Sequence, residues 1–249
     1  MKEKCTFGTI VFIFAALLFG IPSNIHGNQL QTALAISSPT SESPKIDSAS
    51  VTAADDLKAA FRDLWIDHII YTRNFIISYL AGLPDTNIVS ARLLKNQEDI
   101  GNAIKPFYGS AAGITLTDLL KGHIVGAVDL LKAAKNNNST GAATAEKKWY
   151  ENADRIAAFF ADANPSWSKQ DLMTMLHNHL ALTKSEAVAR LTGNYKNDIA
   201  SFDKIHTQAM MMSDALVNGI IKQFPDKFST VTSSGPSSSN STHNTNTKT

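Results

Sequence analysis

The 249-residue chain has a single cysteine, Cys5, which precedes the longest apolar run instead of following it and so excludes a lipoprotein signal. Once a leader is removed no thiol remains, which rules out disulfides and thiolate metal ligands and leaves packing to stabilise the body. Long apolar runs are also missing: the longest, Thr9 to Ile21, has 13 residues, short of the ~20 that a spanning helix needs. Charge of one sign is scarce too. Lys and Arg number 23 against 22 Asp and Glu, and 21 of each remain beyond position 35, which argues against nucleic acid as a partner. No basic amphipathic stretch suggests binding to a membrane surface. The chain has no G-x-G-x-x-G, P-loop, G-x-S-x-G, D-x-D or H-E-x-x-H and no pair of E-x-x-H motifs. Nucleotide-sugar transfer, phosphoryl transfer, serine hydrolysis and di-iron carboxylate chemistry therefore lack their usual parts. The expectation is a binding or structural module rather than an enzyme.

What is present begins with an export signature. Lys2 and Lys4 form a basic n-region ahead of the apolar run, and Ala33-Leu34-Ala35 offers a cleavage site, which gives a leader over residues 1–35. An uncleaved anchor is the alternative, because the stretch from Pro22 to Leu30 makes the region before the cleavage site long. Residues 36–52, rich in Ser with Pro39 and Pro44, read as a solvated linker, and 229–249, almost wholly Ser, Thr and Asn, as a disordered tail. The body, residues 53–228, is expected outside the cytoplasm, secreted or tethered to the outer face of the cytoplasmic membrane. Sequons at Asn137, Asn138 and Asn240 suit such exposure.

Helical periodicity fills the body over 53–81, 86–105, 115–135, 142–163, 169–191 and 195–223, and strand-like alternation is nowhere sustained. Breaks fall at Gly82-Leu83-Pro84-Asp85, at Pro106 with Gly109 to Gly113, at Asn136 to Gly141, at Asn164-Pro165 and at Gly193-Asn194. Asp85, Thr115 and Ser168 are the expected N-caps, Ser168 with Asp171 resembling a capping box. Short loops between helices of similar length imply an all-α, up-and-down bundle of about six antiparallel helices.

One polar residue stands near the middle of each apolar stripe. His68, Asn96, His123, Asn152, His179 and His206 follow one another at intervals of 27 to 29 residues, so in antiparallel helices of matched length they fall at one level. His68 shares a face with Phe61, Trp65 and Phe75; His123 with Leu116, Leu120 and Ala127; His179 with Leu172, Leu176 and Thr183; His206 with Ile199, Phe202 and Met210. His177, two residues from His179, is expected to point away.

Three roles are open to such a layer. It can fix helix register, each histidine donating to a carbonyl or to Asn96 or Asn152. A second role is metal binding, with His68, His123, His179 and His206 as ligands for zinc or copper, since neutral imidazole is the commonest metal ligand and bundle interiors gather ligands from facing helices. Finally, the layer can line a pocket for a small polar ligand, with Thr72 and Thr183 one turn from their histidines and Arg73 and Arg92 as counter-charges, and histidine beside a hydroxyl or carboxylate could also do acid–base work.

The stretches Leu64-Trp65-Ile66-Asp67-His68 with Thr72-Arg73, Arg92 to Gly101, Ile104-Lys105-Pro106-Phe107-Tyr108-Gly109, His179-Leu180-Ala181-Leu182-Thr183 and Gln223 to Phe228 resemble a family of uncharacterised helical proteins from bacilli, clostridia and some archaea. Some of its members carry automatic transferase or kinase names, but neither a sugar-nucleotide fold nor a kinase fold can be built from helices without strands. The resemblance implies that His68, Arg73, Asn96 and His179 lie in the family's motif blocks; it supplies no established function.

Export predicts a mature chain beginning near Ile36. N-terminal sequencing of the native protein tests this: unprocessed protein in the cytosol contradicts the reading, and unprocessed protein in the membrane fraction selects the anchor.

Overall fold

The computed structural model describes residues 53–228, and no strand occurs among them: the fold is an all-α bundle. The expected leader, linker and tail lie outside the described residues. The elements are α1 (Ala53–Ala81), α2 (Thr86–Lys135), α3 (Ser139–Ala163), α4 (Lys169–Leu191), α5 (Tyr195–Gln223) and a 3-10 turn, Pro225–Lys227. No helix among them is long and apolar enough to cross a membrane.

Five helices replace the six expected, because the break anticipated between 105 and 115 is confined to one residue. Gly109 adopts φ 84° and ψ 169°, a conformation essentially reserved for glycine, and the residues on both sides, Pro106 and Thr115 included, are helical. Thr115 is accordingly no N-cap; its hydroxyl donates to the Ala111 carbonyl at 3.0 Å. The single break still turns the chain back on itself. A Cβ on Gly101 would lie 2.5 Å from the Gly113 carbonyl oxygen and 2.0 Å from Thr117 Oγ1, whereas twelve residues of straight helix would separate those positions by ~18 Å. The two arms of α2 lie side by side and touch through glycines, and Glu98 pairs with Lys121 across them at 2.7 Å.

The remaining turns share one construction. Gly82, Asn137 and Gly193 each take a left-handed φ, of 66°, 56° and 72°. In each case the next residue's N–H reaches back to a carbonyl five positions earlier: Leu83 to Ser78 at 2.9 Å, Asn138 to Ala133 at 2.9 Å, Asn194 to Ala189 at 2.8 Å. The following helices start from Asn138 and Asn194, whose side chains accept from Gly141 N and Asn197 N, and Ser168 caps α4 through Asp171 N as expected. Asp85 occupies the cap position of α2 without a side-chain bond.

The helices pack in a closed cycle, α1 against α2 and α5, α3 against α2 and α4, and α4 against α5. At the end remote from the three alike turns, Tyr108 OH donates to Gln223 Oε1 at 2.9 Å and accepts from Asn164 Nδ2 at 3.0 Å, while Gln223 Nε2 donates to the Ala163 carbonyl at 3.1 Å. Inside the cycle Phe61, Trp65, Leu116, Leu120, Trp149, Ile156, Leu176 and Leu180 are buried, each burial contributing ~1.5–3 kcal/mol.

Gly101→Ala should destabilise the bundle by ~2 kcal/mol or more, because its methyl meets the Gly113 backbone carbonyl as well as the Thr117 side chain, and the backbone cannot give way. Urea unfolding beside the exposed Asn102→Ala control checks this; equal midpoints would show that the arms of α2 do not touch.

Candidate functional site

Three histidines, one from α1, one from the second arm of α2 and one from α4, come together in the core. Ring centroids of His68 and His123 lie 6.5 Å apart, His68 and His179 5.8 Å, and His123 and His179 6.3 Å, with mutual tilts of 39°, 38° and 33°. The local sequence explains why all three point inward. Seven and three residues before each, and one after, stand buried apolar side chains: Phe61, Trp65 and Ile69; Leu116, Leu120 and Ile124; Leu172, Leu176 and Leu180. That spacing puts every histidine in the middle of a core stripe.

The next rod in sequence supplies an amide to each. Asn96 Nδ2 donates to the Leu64 carbonyl at 3.0 Å, Asn152 Nδ2 to Leu119 at 3.1 Å and Gln208 Nε2 to Met175 at 3.0 Å. Each accepting carbonyl lies four residues before a histidine. These amide-bearing rods also face the imidazoles. Gln208 Oε1 accepts from His179 Nδ1 at 3.0 Å, Gln97 Nε2 lies 3.3 Å from His68 Nδ1, and Asn152 is the polar neighbour of His123. The histidines are 55 and 56 residues apart, and the left-handed turn residues Gly82, Asn137 and Gly193 each follow their histidine by 14. The described body therefore repeats one pattern of histidine, left-handed turn residue and amide three times along the chain, and the three histidines meet in its core.

Burial keeps the imidazoles neutral. Desolvation, reinforced by the neighbouring His179 and His123, holds His68 well below the usual histidine range; burial and His179 push His123 down to about 3; burial lowers His179 against the opposing bond from Gln208. The layer also concentrates unpaired polarity. Of the eight buried side-chain polar atoms without a hydrogen-bond partner among the described residues, six belong to the layer or to residues beside it: Trp65 Nε1, Gln97 Oε1, His123 Nδ1, Trp149 Nε1, Asn152 Oδ1 and Thr183 Oγ1. The two indoles pack on His68 and His123 at centroid distances of 5.6 and 5.4 Å.

Of the residues singled out in the sequence, His68, Asn96, His123, Asn152 and His179 meet as expected, and Thr183 is buried one turn from His179. Thr72 donates its hydroxyl to the His68 carbonyl at 2.7 Å, within its own helix. The two arginines are not counter-charges of the layer. Arg73 bonds Glu186 and, at 2.6 Å, Asp198, both buried, and Arg92 pairs with Asp67 at 2.6 Å over the Tyr71 ring. His206 is a further correction: it is exposed, because the buried stripe of α5 runs through Ser201, Ile205, Gln208, Ala209 and Met212, and Gln208 takes the layer position. Polar members of that stripe concealed it, although Gln208 follows His179 by 29 residues, the interval of Asn152 from His123. Gln97 and the two indoles were also missed. His177 points outward, as expected, to Asp154 at 2.7 Å.

Among the described residues no group of three or more His, Cys, Asp or Glu is placed so that it could hold a metal ion. A groove of about 640 Å³ between α4 and α5, lined by Met175, Leu182, Thr207 and Met211, also contains Gln208, so one side chain links the surface to His179. Comparison with protein-family models, with curated proteins and with solved structures finds no match in any of the three. The family resemblance therefore rests on its motif residues alone.

Three lowered histidines predict acid sensitivity. The unfolded chain takes up their protons near pH 6.5 and the folded chain only further down, so their contribution is complete above pH 6.5 and lost as pH falls toward their folded values. Glu186 acts oppositely. Burial outweighs Arg73, which Asp198 shares, and lifts the carboxyl to about 7, so its protonation adds stability as pH falls below 7. With ~1.4 kcal/mol per pH unit available from each group, three against one gives a net loss of up to ~3 kcal/mol per unit. Urea midpoints between pH 7 and 5, with chelator present, check this, and Glu186→Gln should steepen the loss. A flat profile contradicts neutral buried histidines.

Proposed function

We propose that the protein is an exported, extracytoplasmic helical module, built as six antiparallel rods in three hairpins, whose histidine layer binds a small polar ligand. The observation that carries this reading is the gathering of five unpartnered buried polar atoms around the three imidazoles, with His123 Nδ1 of the trio a sixth. An unpaired buried polar group costs ~1–3 kcal/mol, and native interiors hold only a few per hundred residues. Donors and acceptors are mixed: two indole N–H groups and a hydroxyl stand against the Gln97 and Asn152 carbonyl oxygens. Such a set suits a compact guest that both gives and receives hydrogen bonds. The α4–α5 groove, with Gln208 in its wall, supports access from the surface.

A second reading is favoured by a different observation. Asn96, Asn152 and Gln208 each join two rods through a carbonyl, which is what a layer that only fixes register requires. The indoles separate the two readings. If the layer is purely structural, Trp65→Phe and Trp149→Phe remove an unpaired donor and leave stability equal or higher. If it binds a guest, native mass spectrometry of the untagged protein shows an added mass that denaturation releases, and either substitution lowers its occupancy. An unadorned mass together with unimpaired Phe variants rejects the ligand site.

A further inference from the structure

We propose that the three histidines His68, His123 and His179 close on a divalent transition-metal ion of zinc chemistry lying between them. This deepens the ligand-site reading and rests on it. Each hairpin contributes one imidazole from the same position, and the three centroid separations agree within 0.7 Å, from 5.8 to 6.5 Å. An ion ~2 Å from one nitrogen of each ring would bring the centroids to roughly 5–5.5 Å. The trio is thus wider than a closed site, and contractions of roughly 0.3 to 1 Å in all three separations bring it to the upper end of that range.

Orientation of the rings supports the same occupant. A metal-binding histidine ordinarily donates its second N–H to an outer partner, which fixes the tautomer and raises the basicity of the coordinating nitrogen. Here the amide-bearing rod supplies that partner in every hairpin. Gln208 Oε1 accepts from His179 Nδ1, leaving Nε2 as its lone-pair nitrogen. His123 Nδ1 and Asn152 Oδ1 are both unpartnered and belong to neighbouring side chains, so a small turn of either pairs them. For His68 the acceptor at hand is Asn96 Oδ1, which neighbours the ring, since Gln97 Nε2 is held by the Leu93 carbonyl at 2.8 Å and cannot be exchanged for Oε1. Two unpaired atoms of the layer, His123 Nδ1 and Asn152 Oδ1, are thereby put to use, and the Trp65 and Trp149 N–H groups remain to bond a water or small anion as fourth ligand. The buried carboxylates do not compete, since Arg73 engages both Glu186 and Asp198.

Titration of the untagged, chelator-stripped protein with cobalt(II) tests the site. The expected result is one cobalt per chain with the visible bands of a four-coordinate ion, displaced by one equivalent of zinc(II) and accompanied by a rise in melting temperature. Affinity should fall at least 100-fold in His123→Gln and His179→Gln and about 10- to 100-fold in Gln208→Leu, which keeps all three ligands, with circular dichroism confirming that each variant is folded. It should be unchanged in His177→Gln and His206→Gln. Cobalt that persists in the layer variants, or leaves only with His177 or His206, overturns the inference. Failure to bind either ion overturns it as well: if native mass spectrometry then shows an organic guest, the ligand site stands without the metal, and if it shows none, both readings fall.

Discussion

Three amide-to-carbonyl bonds set the level of everything else in the interior. In a regular helix the carbonyl four residues before a histidine already accepts that histidine's own N–H. The amide from the neighbouring rod takes the second lone pair of the same oxygen: Asn96 on Leu64, Asn152 on Leu119, Gln208 on Met175. A buried amide that slipped by one residue would lose its acceptor with no water to replace it, so each hairpin is held in register at the turn that carries its imidazole. Repeated three times around a closed cycle of helices, this constraint brings the imidazoles together. The glycine contact between the arms of α2 permits the approach.

The charged groups of the interior are handled differently. Glu186 and Asp198 are as buried as the histidines, yet they are gathered on Arg73, with Arg190 3.3 Å from Asp198, so α1, α4 and α5 are joined through an ion cluster away from the layer. One guanidinium shared by two carboxylates leaves Glu186 undercompensated, which is why burial raises its carboxyl even beside a cation. The layer, by contrast, holds neutral groups whose cost lies in unpaired hydrogen bonds. That difference separates a cluster that consumes its own charges from a layer whose polar atoms stay unpaired.

The helical periods, the turn at Gly82, the turn around Asn137 and Gly193-Asn194 were all legible in the sequence, because each depends on residues close along the chain. So was the existence of a polar level, since one polar residue in an apolar stripe declares itself at helical spacing. The threefold repeat was half legible. Its 55- and 56-residue period is present in the histidines, but it is visible only once the turn residues and the amides are aligned with them.

What the sequence by itself determined was local: where the chain is helical, where it reverses, and that His68, His123 and His179 lie in apolar stripes. Tertiary structure decided the rest. A position advances 100° around a helix per residue, so on α5, whose buried stripe includes Ser201 and Gln208, composition could not distinguish His206 from a residue two places on. Pairing of Arg73 with Glu186 and Asp198, partners 113 and 125 residues away, depends on which helices become neighbours in the closed cycle. The convergence of three imidazoles depends on the same closure, because a helix determines the direction in which its side chains point, and only its neighbours determine what stands there.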